Sequence, residues 1–322
     1  RIVRETCGNQ TKIVMGGIHA TMLPEGALDN MEIDYIIARE GERAIVELLD
    51  HLDNNQANIG NGVRNLYYRD KNNVIRSTEN AYIKNLDSLP MPAYDTYLNA
   101  GKLDPNMFGS LISARGCPFL CTYCASHILW SRKVRYHSSK YIIGLIEYLY
   151  NAFGTRKFRF NDDTFNLDRN RLFEFCRLLQ AENLPIEWEA DIRGDLADYD
   201  SLKAMRDAGC KQVNIGVETA SETIIKQVRK NLDLEKVKNT FRICKEMGIK
   251  TIGYFMIGFP GETEEQVNKT IGLIEKLKPD NPIISIFTPY PGTEAFDIEV
   301  RNGTIDPSAI DWDQFFHHSE NA

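Results

Sequence analysis

"SLISARGCPFLCTYCASH", residues 110–127, runs from an apolar, β-prone segment straight into a loop with three cysteines in eight positions. "SLISARG" (110–116) reads as a strand. Cys117, Cys121 and Cys124 therefore stand just past a strand end, where ligands gather in parallel α/β sheets. The loop supplies no fourth cysteine. A structural metal site normally closes its coordination shell, so three thiolates leave a position open.

Outward from this loop, short β-rich runs alternate with longer amphipathic ones. "KYIIGLIEYLY" (140–150) has the apolar spacing of a half-buried helix. "KFRFNDD" (157–163) reads as a strand, and Asp168 as the N-cap of "RNRLFEFCRLLQ". "IEWEADI" (186–192) is a strand and "YDSLKAMRDAG" (199–209) a helix closed by Gly209. "QVNIGVE" (212–218) is the fourth strand, before a helical region ending at Met247. "KTIGYFMIG" (250–258), a helix from Thr263 with Gln266 as its capping-box partner, and "PIISIFTPY" (282–290) complete the series. Six strands joined by five mostly helical crossovers predict a parallel sheet with helices outside. Periodicity alone leaves an open sheet and a partial barrel both standing.

Residues 1–80 have a different pattern. "KIVMGG" (12–17) is a short strand ending in paired glycines, "MLPEGALDNM" (22–31) a short helix, and "DYIIARE" (34–40) a strand before the helix "GERAIVELLDHL" (41–52). "NLYYRDKNNVIRS" (65–77) suggests a hairpin turning near Asn72-Asn73. The organisation expected is an amino-terminal unit at 1–80, a polar, proline-bearing linker at 81–108, a main domain at 109–300, and the start of a further region at 301–322. The chain opens on Arg1 and stops in "FFHHSENA", which suggests a piece cut at both ends.

The chain has 322 residues, of which 43% are apolar and 26% charged, with a net charge of −7, so it can bury a sizeable core. The acidic balance offers no general attraction to nucleic acid or an anionic membrane. No run approaches the ~20 apolar residues that span a bilayer, and no signal-peptide pattern is read at the start of the sequence. Seven unevenly spaced cysteines make a poor disulfide framework. A cytoplasmic protein is expected.

Thiolates suit both iron–sulfur clusters and zinc. A 4Fe–4S cluster on three cysteines keeps one iron free for a small molecule. A zinc site would need a fourth ligand from His127, His137 or a distant cysteine, in a binding module without catalysis. The loop, including Tyr123 directly before the third cysteine, resembles that of the radical S-adenosylmethionine superfamily. The resemblance covers about residues 108–298. It implies a 4Fe–4S cluster whose free iron takes the amino and carboxylate groups of S-adenosylmethionine. One electron then splits the sulfonium and yields a 5′-deoxyadenosyl radical, and the cofactor supplies that chemistry.

The same resemblance assigns roles to other strand ends. Asn161, Asp162 and Asp163 would lie near the methionine amino group, where helix capping is the competing use. Arg193 would pair with the methionine carboxylate, a surface salt bridge being its competitor. Glu218, in "IGVETAS", would contact the ribose. Met256, Ile257 and Gly258, with Pro289 and Tyr290, would pack near adenine, although an ordinary buried strand and a Pro-Gly turn explain the first set too.

"GGIHATMLPE" (16–25) and "DYIIAREGE" (34–42) resemble the C-terminal half of the cobalamin-binding domain found in many such enzymes. Gly16, Gly17, His19 and Thr21 would then lie near the nucleotide tail of cobalamin. His19 is not expected to bind cobalt, because the family's DxHxxG motif is absent. The fold expected is a partial (β/α)6 radical-SAM barrel preceded by a truncated Rossmann-like cobalamin-binding domain. The resemblance implies methyl transfer, cyclisation or rearrangement of a small molecule, with a flavodoxin or ferredoxin as electron donor. RNA methylthiotransfer is a second reading, but it needs another cluster-binding domain, and Cys7 is the only cysteine before Cys117.

Overall fold

A computed structural model describes residues 2–8, 10–54, 59–97 and 100–312. The second part of the region expected at 301–322, from 313 onward, lies outside the described residues.

The amino-terminal part starts with helix α1 (Ile2–Cys7), strand β1 (Val14–Met15) and helices α2 (Ile18–Met22) and α3 (Pro24–Leu28). Strand β2 (Tyr35–Ile37) pairs in parallel with β1, and helix α4 (Glu42–Asp53) follows. The antiparallel pair β3 (Leu66–Arg69) and β4 (Ile75–Ser77) completes a sheet ordered β1-β2-β3-β4. Its turn falls where expected, with Asp70 accepting the amides of Asn72 and Val74. Alternation along β2 sends Ile36 to a core with Ala20 and Leu28, and Ile37 to another with Leu48 and Leu66.

Beyond a run of short 3-10 turns, the main sheet begins at β5 (Ser110–Leu111). The single strand expected at 110–116 is broken. Its second half, β6 (Ala114–Arg115), follows helix-free loop backbone and pairs antiparallel with β7 (Arg135–Tyr136), across the cysteine loop and helix α5 (Ser126–Trp130). The cause is Asp162, whose carboxylate takes the Ser113 and Ala114 amides at 2.6 and 3.0 Å in place of ladder partners.

Regular β/α units follow: α6 (Ser139–Phe153), β8 (Lys157–Phe160), α7 (Arg169–Glu182), β9 (Glu187–Ile192) and α8 (Tyr199–Asp207). Then come β10 (Cys210–Glu218), α9 (Glu222–Gln227), α10 (Leu234–Met247) and β11 (Lys250–Ile257). The series closes with α11 (Glu264–Leu277), β12 (Asn281–Ile286) and α12 (Glu294–Arg301). Asp168 caps α7, and Thr263 with Gln266 forms the capping box of α11.

The six strands are parallel in the order β5-β8-β9-β10-β11-β12. Every crossover therefore steps the same way, the winding of a barrel and not of a doubly wound sheet. Edge strands β5 and β12 do not pair with each other, so the wall is a partial barrel.

Alternation along each strand sorts its side chains. Phe158, Phe160, Trp188 and Val213 point outward under the helices, and Phe160, Phe165, Phe175 and Trp188 meet at centroid distances of 4.9 to 5.6 Å. Each such aromatic contact adds about 0.5–1.5 kcal/mol beyond area burial. The alternate set, Arg159, Glu189, Asp191, Gln212 and Asn214, faces inward. No helix among the described residues is long and apolar enough to cross a membrane.

Candidate cluster and cofactor site

The cysteine loop is fixed at several points. At its start Gly116 takes φ 102°, and a Cβ there would meet the Lys133 and Ser131 carbonyls at 2.9 and 3.0 Å, so the close approach excludes a side chain. Midway, the Thr122 amide donates to the Val228 carbonyl, and the Thr122 carbonyl accepts the Ala295 amide, both at 3.0 Å. Cys117, Cys121 and Cys124 are free thiols, half-buried, and all three line one cavity of about 240 Å³ at the C-terminal ends of the strands. Burial raises the Cys117 thiol and pushes Cys124 up to about 11. Neutral thiols at pH 7 ionise when a metal binds, with release of protons.

His127 and His137 do not line this cavity. His127 places Nδ1 3.0 Å from the Cys124 carbonyl, and His137 places Nδ1 3.1 Å from Asp87. Among the described residues, no three His, Cys, Asp or Glu side chains converge closely enough for one metal ion. A cluster spreads its thiolates over separate irons and needs no such convergence.

Tyr123, Asp163, Arg193 and Glu218 line the same cavity as the cysteines. Tyr123 is wedged between Phe259 and Phe287, each at 6.5 Å between centroids. Asp163 accepts the Ser126 hydroxyl at 2.6 Å, and burial still holds its pKa above the ordinary carboxylate value. Arg193 is buried and its fork is engaged: Nε donates to Asp195 at 2.7 Å, Nη2 to the Lys230 and Asn231 carbonyls at 2.7 Å, and the guanidinium stacks on Phe119 at 3.9 Å. The salt bridge weighed for Arg193 thus exists, but as a buried one on the cavity wall.

Other expected residues lie elsewhere. Asp162 is turned away from the cavity and is 1% exposed, holding Ser113 and Ala114 as described. Burial raises its pKa, against the Ser113 hydroxyl and Arg171. From the fifth crossover strand the cavity receives Tyr254, not Met256, Ile257 or Gly258. Met256 packs behind Tyr123 with Phe259 and Phe287, and the Gly258 amide donates to Glu262 at 2.7 Å. Tyr290 lines a separate crevice of about 430 Å³ shared with Ile18, His19, Met22 and Ala125, so two sets that the sequence kept apart meet there. His19 meets Trp312 edge-on at 5.3 Å. Thr21 is buried, its hydroxyl donating to the Gly17 carbonyl and accepting the Arg39 amide, both at 2.8 Å. Gly17 N-caps α2, and Gly16 sits against the Ile37 carbonyl.

Several wall residues escaped the sequence reading. Lys230 bonds Glu218 at 2.6 Å, and both side chains are 11% exposed. Asp191 and Asn214 form part of the floor, joined at 2.7 Å, above a network in which Gln212 donates to Glu189 at 2.7 Å and Arg159 lies 3.3 Å from Glu189. The signal for the floor was present: in "IEWEADI" and "QVNIGVE" polar residues alternate strictly with apolar ones, which marks a strand with one wet face. Lys230 stands in the loop between α9 and α10, and no periodicity points to it.

The model of the "Radical SAM superfamily" matches residues 111–274, half of the chain. The chain belongs to that superfamily. It is 32% identical over 295 residues to an uncharacterized methyltransferase of Pyrococcus horikoshii, covering 91% of this chain and 64% of that one. It is 29% identical over 303 residues to an anaerobic magnesium-protoporphyrin IX monomethyl ester cyclase of Cereibacter sphaeroides, covering 90% of this chain and 48% of that one. The chain thus spans between about half and two-thirds of the length of these curated relatives. Among solved structures it resembles the radical S-adenosylmethionine methyltransferase TsrM of Kitasatospora setae with cobalamin and a [4Fe-4S] cluster bound, with a TM-score of 0.75 at 18% identity. That likeness covers 92% of this chain and 59% of the other, and it establishes a shared fold.

Proposed function

We propose that this chain is the catalytic core of a cytoplasmic radical S-adenosylmethionine enzyme that methylates or cyclises a small molecule. One observation carries the reading: three free thiols on one loop face a single cavity whose walls also hold carboxylates and cations. When bound, a 4Fe–4S cluster supplies the electron that splits S-adenosylmethionine into methionine and a 5′-deoxyadenosyl radical; a flavodoxin or ferredoxin would reduce it. Cys117, Cys121 and Cys124 would hold the cluster.

The remaining wall suits the nucleoside. Asp163 and Asp191 offer carboxylates to an ammonium group. Arg193, already fixed by Asp195, presents a positive charge to a carboxylate without further ordering, and Lys230 is a second cation. Glu218 suits ribose hydroxyls, and Tyr123 with Met256 behind it gives an apolar wall for a base. Methyl transfer and cyclisation are the reactions named for the two relatives above. If cobalamin is carried, His19, which lines the crevice, would meet it there, and Gly16 and Gly17 would shape the turn that leads into α2. Thr21, with its hydroxyl committed internally, would act only by holding the Gly17 turn.

Anaerobic reconstitution tests the reading. About four irons and four sulfides per chain are expected, falling to less than half in Cys124→Ala. One zinc and no sulfide per chain would reject it.

A further inference from the structure

Helix α5 begins two residues after Cys124 and has only five residues. Its start reaches the cavity, because the Ser126 hydroxyl bonds Asp163. A helix end leaves carbonyls without intrahelical partners, and cations are favoured there. The carbonyls of Ile128 and Trp130 are both taken by arginines from elsewhere. Arg39, at the end of β2 in the amino-terminal part, donates to Ile128 and to the Tyr82 hydroxyl. Arg135 donates to Trp130 at 2.9 Å.

Glu40 anchors the second of these grips, and Tyr82 joins it to the first. Glu40 is 3% exposed, accepts Arg135 and the Ile83 amide at 2.6 Å each, and lies 3.3 Å from Arg115. Arg39 and Arg135 both stack on Tyr82, at 5.6 and 5.0 Å, and Arg115 stacks on Trp130 at 5.0 Å. Arg39 adopts φ 64°, a conformation that non-glycine residues keep only where surroundings enforce it. Glu40 has one carboxylate and serves three partners, so the amino-terminal part, the linker and the cysteine loop share one buried ionic centre.

We propose that Arg39 and Glu40 are positioning residues for the cysteine loop. Through α5, the amino-terminal part sets where Cys124 and Asp163 stand, in addition to any cofactor it carries. A change of state in that part would therefore be felt at the third thiol. The catalytic consequence rests on the cluster reading, but the test does not, because it is made on the iron-free chain and the two can fail separately.

Hydrogen exchange of the full chain is compared for wild type, Arg39→Ala and Arg39→Lys, with iodoacetamide alkylation of Cys124 followed by mass spectrometry. In Arg39→Ala the amides of Ile128, Leu129 and Ser131 are expected to exchange about tenfold faster, while α6 and α7 stay within about twofold. Cys124 should alkylate faster than in wild type. A lysine ammonium can donate to the Ile128 carbonyl but lacks the planar guanidinium that stacks on Tyr82, so Arg39→Lys should fall between. Exchange and alkylation within about twofold of wild type in folded Arg39→Ala would overturn the proposal. Should that variant not fold, wild-type behaviour of Arg39→Lys overturns it and an intermediate result supports it.

Discussion

Glu218 holds a backbone angle that its own side chain disfavours. Its φ of 70° falls where β10 slips register between Gly216 and Glu218, and such strain costs about 1–3 kcal/mol. The carboxylate is thereby turned onto the cavity wall and against Lys230. The pair occupies space that a side chain at 216 would enter: a Cβ there would lie 2.7 Å from the Glu218 carboxylate and 3.1 Å from Nζ of Lys230. Both atoms end flexible side chains that can move aside, so Gly216→Ala is expected to displace the pair while changing stability in denaturant unfolding by less than about 1 kcal/mol. If Glu218 holds the ribose, affinity of the reconstituted chain for S-adenosylmethionine should drop about tenfold, or 1.4 kcal/mol. Wild-type affinity in this variant would remove Glu218 from the nucleoside wall.

Helix α6 is tied to the linker at its first turn. Asp87 accepts the Ser138 amide at 3.0 Å and faces His137, which stacks on Tyr141 at 4.2 Å. Burial holds the His137 pKa below the ordinary value, outweighing Asp87. Burial alone would raise Asp87, but Ser138 and His137 outweigh it and lower the pKa. The sign follows for each group. The folded state favours neutral His137, so its contribution is complete above the unfolded value of about 6.5 and is lost as pH falls from there. The Asp87 contribution is present above about 3.9 and is lost only in stronger acid. Between pH 7.5 and 5.5 the melting midpoint should therefore fall, and His137→Gln should flatten that slope. An equal slope in both proteins would place the acid sensitivity elsewhere.

What the sequence could and could not foretell follows from the range of the forces involved. The helices of the barrel were legible because apolar spacing and caps such as Asp168 and Thr263 act within a few residues. The strands were legible for the same reason, and with them the loop that carries Cys117, Cys121 and Cys124. The break in the first strand was not, because the group that causes it, Asp162, lies 49 residues from Ser113. The same distance effect moved Asp162 from the expected cavity to the strand it braces. Lys230 and Tyr254 reach the cavity through loop geometry and strand register, neither of which periodicity encodes.

At the scale of the molecule, two structural parts with separate apolar cores meet on the face that carries the thiols. The half-barrel supplies a polar floor and a strand-end cavity, the amino-terminal part supplies the grip on α5, and His19 and Tyr290 both line the crevice between them. On the proposed reading, such a layout would hold one side of the cysteine loop and leave the other open to a cofactor. The three thiols would then leave one iron site free for a sulfonium substrate. The most direct measurement incubates the reduced, reconstituted chain with S-adenosylmethionine and quantifies 5′-deoxyadenosine by chromatography, beside Cys121→Ala. Nucleoside from the wild-type chain and only background from the variant is expected; equal amounts from both would contradict the account.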